Sequence, residues 1–283
     1  MLCVIGDLVE DIIVRPIGSR RHPDTDNPAV IERRRGGSAA NVAAAAATLG
    51  AAVRFVGRVG DDRAAAVLVA DLVSRGVEVC VQRAGRTGTV AIVVEPGGVR
   101  TMYPDRGAAA ELGAIDPCAR TSVSWVHLPA YTWCVPPLDE HAAAFVEAVR
   151  GDGDLRLSVD LSSTALLETV GAAAVGRRLA ALAPDVVFAT IAEWTTSGQR
   201  PVAGAVTVVK DGPRAVRVHH RDGRSDEVAV VAIDDIVDPT GAGDAFAAGY
   251  IVAARSGVGP VDAARAGIDC AARTLRRVGA SLD

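Results

Sequence analysis

Apolar residues fall along this chain in short blocks separated by polar turns, and many of the intervals between blocks carry helical spacing. Residues 2–6 read as a buried strand ending in glycine, 53–59 as another, and 123–128, 155–161, 185–189 and 204–210 as four more. Residues 38–49, SAANVAAAAATL, predict an Ala-rich helix closed by Gly50. Asp61 or Asp62 can cap a helix that runs to about Arg75 and stops at Gly76. The C-terminal part predicts helices over about 242–255 and 261–277. Strands alternating with helices imply a parallel sheet covered on both faces.

Two segments break the alternation. Residues 9–34 hold VEDIIVRPI, a polar loop and AVIERRR, with three prolines overall. Residues 87–103, TGTVAIVVEPGGVRTMY, hold two strand-like runs around a Pro-Gly-Gly turn. Both read as β-hairpins inserted in an α/β chain. They form either a lid over a site or an extension of the sheet edge. No repeat or linker divides the 283 residues, so one α/β domain is expected.

Composition narrows the function classes. The chain is 49% hydrophobic and 23% charged, enough apolar residue for a packed core. A net charge of -4 offers no basic surface for nucleic acid or anionic lipid. No run of about 18 apolar residues predicts a membrane span. The first residues, MLCVIGDLVEDIIV, read as a strand rather than a signal peptide. Cys3, Cys80, Cys118, Cys134 and Cys270 never form a CxxC pair, which suits a reducing cytosol and buried small side chains. His22, His127, His141, His219 and His220 lack metal-ligand spacing, and a strand would send His219 and His220 to opposite faces. Trp125, Trp133 and Trp194 read as packing residues, with Trp133 also placed to touch a ligand.

Residues 238–244 are DPTGAGD, and AFAAGYIVAAR follows. A glycine-rich turn thus leads directly into a helix, where backbone N–H groups lack partners and the dipole is positive. The N–H groups of Gly241, Ala242 and Gly243 can point at a phosphate. Asp244 falls in the first helical turn beside that anion hole, placed to take a proton from an attacking hydroxyl. An isolated GAGD serves equally well as a plain helix start; Asp238 and Thr240 make the longer string more specific, although Asp238 is also a turn residue. There is no GxxxxGK[ST], Phe246 breaks the GxGxxG spacing, and no protein-kinase HRD or DFG is present.

Residues 36–41 are GGSAAN. Asn41 is a lone amide in an apolar helix and needs partners, which a bound polyol or the nearby backbone can supply. Gly36 and Gly37 would let a ligand approach the backbone. Asp7 and Asp11, in GDLVEDIIV, suit paired sugar hydroxyls or are solvated edge charges.

Together these segments make the whole chain resemble the ribokinase-like (PfkB-type) carbohydrate kinase family. GGSAAN with GRVGDD at 57–62, and DPTGAGDAF at 238–246, match its two signature regions. The resemblance implies a three-layer α/β/α core with a mostly parallel sheet and a small β-sheet lid built from about 9–34 and 87–103. It implies phosphoryl transfer from ATP with Mg2+, K+ as a further ion, a cytoplasmic setting and a homodimer formed through the lid. Asp244 matches the catalytic base; Gly241, Ala242 and Gly243 match the anion hole. Asp11, Gly36, Gly37 and Asn41 match the substrate side. Lys210 and Gly212 match the adenine and ribose pocket, Thr240 the nucleotide side and Asp238 a monovalent-cation position. One position departs: where the family carries Asn-x-x-Glu near magnesium and the phosphates, this chain has Thr190 and Glu193. A threonine offers no amide N–H₂.

The reaction expected is ATP-dependent phosphorylation of a hydroxymethyl group on a sugar or nucleoside. Similarity of the SRRHPDTDNPAVIERRRGGSAAN region to kinases of nucleoside salvage points toward ribose or a nucleoside such as pseudouridine. Two alternatives remain: a non-catalytic sugar or nucleotide sensor on the same fold, and a dinucleotide-dependent oxidoreductase that lacks its fingerprint.

Overall fold

The first strand, β1 (Leu2–Ile5), is covered on both sides, because Leu2 and Val4 enter one apolar cluster while Cys3 and Ile5 enter another. This is how a continuous apolar run becomes a central parallel strand. The computed structural model describes residues 1–18, 22–95, 99–233, 235–277, 280 and 282. The remaining strands are β2 (Val9–Pro16), β3 (Ala29–Gly36), β4 (Val53–Val59), β5 (Glu78–Arg83), β6 (Thr87–Val94), β7 (Arg100–Gly107), β8 (Trp125–Pro129), β9 (Arg156–Asp160), β10 (Val186–Thr190), β11 (Val206–Lys210), β12 (Ala215–His219) and β13 (Ser225–Ala229). The α-helices are α1 (Ser38–Thr48), α2 (Arg63–Ser74), α3 (Ala130–Cys134), α4 (Leu138–Asp152), α5 (Thr164–Val170), α6 (Ala172–Leu182), α7 (Ile191–Thr196), α8 (Ala242–Arg255) and α9 (Pro260–Leu275).

Nine strands form the main sheet in the order β13-β12-β11-β10-β9-β8-β1-β4-β5. It is parallel from β11 to β5, and β12 and β13 close one edge as an antiparallel hairpin. That hairpin is absent from the sequence pattern because Arg217, Asp226 and Glu227 leave few apolar positions on an edge strand. Helices α1, α2, α8 and α9 supply the apolar cluster on one face, and α3 to α6 with Trp194 of α7 supply the other. Eight residues of α1 from Ala39 to Ala46 are buried, six of them alanines. Small side chains let α1 sit against the sheet and α8 together, and larger ones would overpack that layer.

The two inserted segments form a separate four-stranded sheet, β3-β2-β6-β7, and do not extend the main sheet edge. Each segment is an antiparallel hairpin, and β2 and β6 join them in parallel. The strands run past the sequence limits of 34 and 103, to Gly36 and Gly107. The Pro-Gly-Gly turn at 96–98 lies outside the described residues. Of the two candidate caps for α2, Asp62 is the one used. Its carboxylate accepts from the Ala65 N–H at 2.8 Å, and from the N–H and hydroxyl of Thr87 at 2.8 and 2.6 Å. One aspartate thereby starts α2 and ties it to the first residue of lid strand β6.

The buried reading holds for Cys3, Cys134 and Cys270, but Cys80 is half-buried and Cys118 is exposed, because Cys118 sits on a short 3-10 turn outside the layers. Trp133 is buried, with its indole N–H donating to the Asp160 carbonyl at 3.3 Å, so it packs and does not reach a ligand. His219 stacks on Trp194 at 5.4 Å, and His220 meets Asp226 at 2.7 Å. Among the described residues there is no His/Cys/Asp/Glu group of metal-binding size, and no helix long and apolar enough to cross a membrane.

Candidate active site

The parallel strands end on one side of the main sheet, and the sequence-predicted polar residues gather there beneath the lid. This is where an open α/β sheet offers a crevice. Asp7 follows β1, Asp160 ends β9, Thr190 ends β10 and Lys210 ends β11. Helix α8 starts across the same crevice, capped by Gly241 with φ +73°. Gly241 is required twice over, because it holds a left-handed conformation and a Cβ there would overlap Ala280.

Asp244 lies in the first turn of α8. Its Oδ1 accepts from the Ser38 hydroxyl at 2.7 Å and its Oδ2 from the Asn41 side-chain N–H at 2.9 Å. Burial drives its carboxyl up to about 7, against the two hydrogen bonds that favour the ionised form. A carboxylate titrating there is poised to take a proton near neutrality. Asn41 thus finds its partners in protein side chains: it donates to Asp244 and accepts from Arg35 Nη1 at 2.5 Å.

The paired glycines admit the protein's own groups in place of a ligand. A Cβ on Gly36 would overlap the Asp11 carboxylate, and one on Gly37, where φ is +97°, would overlap the Asp7 carbonyl. The close approach predicted at these positions is real, but it packs β3 and the start of α1 against the two aspartates. Asp7 accepts from the Ala39 N–H at 3.2 Å and from Arg106 Nη1 at 3.0 Å, and the Arg106 guanidinium lies 3.1 Å from the Tyr131 ring centroid. Burial and the charge of Asp7 push Asp11 up to about 7. Asp11 shares with Arg35 and Thr240 a cavity of about 370 Å³ on the far side of the anion loop.

A second cavity, of about 430 Å³, opens on the other side of the α8 N-terminus. Thr190, Gly212, Val216, Ile233, Phe246 and Leu275 line it together with Ala242 and Gly243. Apolar walls beside a positive helix end suit a flat base with a phosphate tail. Lys210 lines this cavity too. It pairs with Asp160 at 3.0 Å, and a Cβ on Gly243 would lie 3.5 Å from its Nζ. Burial opposes the charge on Lys210, yet Asp160 and Glu193 outweigh burial and hold its pKa above the usual lysine value. Lys210 therefore stands beside the start of α8.

Thr190 and Glu193 form a capping box on α7: the Glu193 N–H donates to Thr190 Oγ1 at 3.3 Å, and the Thr190 N–H to Glu193 Oε2 at 2.7 Å. Threonine here starts the helix as an asparagine would. Burial and the nearby Asp160 charge raise the Glu193 carboxyl. Asp160 and Glu193 flanking Lys210 give a donor set that fits a hydrated Mg2+, which takes one or two carboxylates plus substrate phosphates. Asp238 accepts from the N–H and hydroxyl of Thr240 at 2.9 and 2.5 Å, and pairs with Arg100 at 3.3 Å. Arg100 Nη1 also donates to the Thr240 hydroxyl. A guanidinium from the lid thus stands at the carboxylate assigned to a monovalent cation.

Asp160, Ser38, Arg35, Arg100 and Arg106 were not singled out from sequence. Ser38 lies inside GGSAAN and Asp160 ends an apolar run, so both had a signal. The arginines had none, because Arg35 reaches Asp71, Arg106 reaches Asp7 and Arg100 reaches Asp238 across 36, 99 and 138 residues.

The comparisons with known proteins agree with this geometry. The model of the pfkB family carbohydrate kinases matches residues 1–283. An ATP-dependent ribose-1-phosphate kinase from Halopiger xanaduensis is 30% identical over 246 residues, covering 82% of this chain and 78% of its own. A fructokinase from Escherichia coli is 30% identical over 271 residues, covering 88% and 82%. Among solved structures, the adenosine kinase from Sinorhizobium meliloti superposes with a TM-score of 0.86 at 22% identity, covering 99% of this chain and 94% of that one. With a family model over its full length and a matching fold, the chain belongs to the pfkB family of carbohydrate kinases and is a phosphotransferase.

Proposed function

We propose that this enzyme transfers the γ-phosphoryl group of ATP to a hydroxymethyl oxygen of a sugar or nucleoside, with Asp244 as the base. The observation that carries this reading is the Asp244 carboxylate, fixed by Ser38 and Asn41 at 2.7 and 2.9 Å beside the N-terminus of α8. The acceptor oxygen attacks phosphorus as its proton passes to Asp244, and the bond from phosphorus to the ADP oxygen breaks. Backbone N–H groups of Gly241, Ala242 and Gly243, with the Lys210 ammonium, would face the charge on the transferred group, and the Ala242 N–H donates to the Pro239 carbonyl at 3.4 Å in the unliganded protein. Asp160 and Glu193 would hold a hydrated Mg2+, which would neutralise phosphate charge. Gly212 and the apolar walls hold the adenine.

Asp11 and Asn41 orient acceptor hydroxyls on the lid side. The printed names of the relatives span a ribose phosphate, fructose and adenosine, which supports a furanose-bearing acceptor. The capping box at Thr190 leaves the sensor alternative without a structural feature in its favour. The outer lid face carries Ile31 and Tyr103, 62% and 61% exposed, with Ile12 and Val14 on the same side of the sheet. A second copy of the chain is the partner proposed for that face. ADP release measured across sugars, sugar phosphates and nucleosides tests the reaction. Tight binding without ADP release from any acceptor would sink it.

A further inference from the structure

A third cavity lies at the opposite end of the main sheet, where the parallel strands begin. The first residues of four neighbouring strands line it: Trp125 of β8, Arg156 of β9, Val186 of β10 and Val206 of β11. Tyr250 of α8 and Val258 in the turn to α9 line it from the helix layer, and Arg221 and Asp222 from the turn between β12 and β13. Its volume is about 260 Å³. That is a little under the roughly 300 Å³ at which drug-sized pockets begin, so it suits a small ligand.

Tyr250 is 2% exposed. Its ring meets Phe188 edge-on at 5.1 Å on the core side, and its hydroxyl end is the part on which the Arg156 and Arg221 charges act. Among the described residues no group hydrogen-bonds that hydroxyl, although a buried phenol ordinarily finds a partner. Burial raises its pKa, so it remains a neutral donor. The other polar groups around the cavity are mostly matched. Arg221 pairs with Asp185 at 2.6 Å, Asp222 with Arg224 at 2.8 Å, and His220 with Asp226 at 2.7 Å. Arg156 is the exception: among the described residues its guanidinium has no hydrogen bond or ion pair, and it lies 5.9 Å from the Trp125 ring centroid. The cavity therefore offers one buried donor and one cation, both unpartnered, beside two aromatic rings and three valines.

We infer that this cavity binds a small aromatic monocarboxylate, its carboxylate on the Arg156 guanidinium and the Tyr250 hydroxyl and its ring against Trp125, Val186, Val206 and Val258. A carboxylate accepts two parallel N–H bonds from a guanidinium and has lone pairs left for the phenol O–H. One unpaired cation matches one negative charge, whereas a dianionic phosphate would also face Asp185 and Asp222. A flat ring gains offset or edge-on contact with the indole, which a saturated ring does not. Asp244, the glycine turn and Lys210 all stand at the other end of the strands, so this ligand and a nucleotide bind at once.

Calorimetric titration of the full chain with benzoate, phenylacetate and indole-3-acetate, each beside its amide, tests this. Dissociation constants on the order of 0.1 mM are expected for ligands of this size, and the best acid should bind roughly tenfold or more tighter than its amide. Arg156→Gln and Tyr250→Phe should each weaken that acid by roughly tenfold. Neither variant should fail by unfolding: Arg156 is exposed, and the Tyr250 hydroxyl holds nothing in the protein, so Tyr250→Phe should melt no lower than wild type. Binding should persist in saturating ADP. No binding of any of the three acids, equal affinity for acid and amide, unchanged affinity in both variants, or displacement by ADP overturns the inference. So does tighter binding of phenyl phosphate, or equal binding of cyclohexanecarboxylate, in place of benzoate. The kinase reading stands or falls separately, on ADP release.

Discussion

Replacing Asp244 by asparagine should abolish most turnover and at the same time stabilise the unliganded protein at alkaline pH. Asparagine keeps the shape, and the Ser38 hydroxyl can rotate to accept where it now donates. Loss of a positioned base should lower kcat by roughly 10² to 10⁴, with KM for ATP little changed. The stability effect has the opposite sign. Burial raises the Asp244 carboxyl from 3.8 to about 7, a difference worth about 4 kcal/mol between its two protonation states. The carboxyl is partly open to the crevice, so solvent reduces this to about 2 kcal/mol. Because the folded value is the higher one, this stability is fully present below the unfolded value and is lost as pH rises through about 7. Wild type and variant should therefore melt together near pH 4, separate as pH rises from about 4 to about 7, and stay apart above that, the variant higher by several degrees at pH 9. Thermal melts at several pH values read this directly. On the same grounds, kcat/KM of the wild type should climb with pH through about 7 as Asp244 and Asp11 ionise. A variant that keeps more than roughly a tenth of kcat, or a melting difference that does not widen with pH, would refute the reasoning.

Gly241→Ala should destabilise the protein by about 1–3 kcal/mol in denaturant unfolding and raise KM for ATP, since φ is +73° and the new Cβ meets Ala280. Thr190→Ala should lose about 1 kcal/mol by breaking the capping box on α7, whereas Thr190→Asn should retain both stability and activity; parallel melts and assays separate the two. Ile31→Asp on the outer lid face should shift sedimentation from dimer to monomer, and an unchanged sedimentation profile would exclude that face as the contact.

Legibility in the sequence followed the range of the interactions. The central strands, α1, α2, α8 and α9 were readable because burial on both sheet faces writes itself into local apolar runs, and because Gly50, Asp62 and Gly76 punctuate them. The edge hairpin β12–β13 was not, because Arg217, Asp226 and Glu227 interrupt its short apolar pattern. DPTGAGD placed Asp244 in the first turn of a helix for the same local reason: a helix N-terminus creates its own field within one turn. GGSAAN showed that glycine was needed at 36 and 37, but not that Asp11 and Asp7 would fill the space.

The chain by itself therefore determined the fold class, the alternation of central strands and helices, and the glycine-rich turn that opens α8, all properties of contiguous segments. Only the tertiary structure decided which charges meet. It placed Lys210 on Asp160 across 50 residues, Arg100 on Asp238 across 138, and Arg35 on Asn41 and Asp71 beneath the lid. Those pairings depend on strand order and lid docking, which bring distant side chains within hydrogen-bond reach in a low-dielectric crevice. No periodicity along the chain encodes them, and it is these contacts that shape the acceptor side of the site.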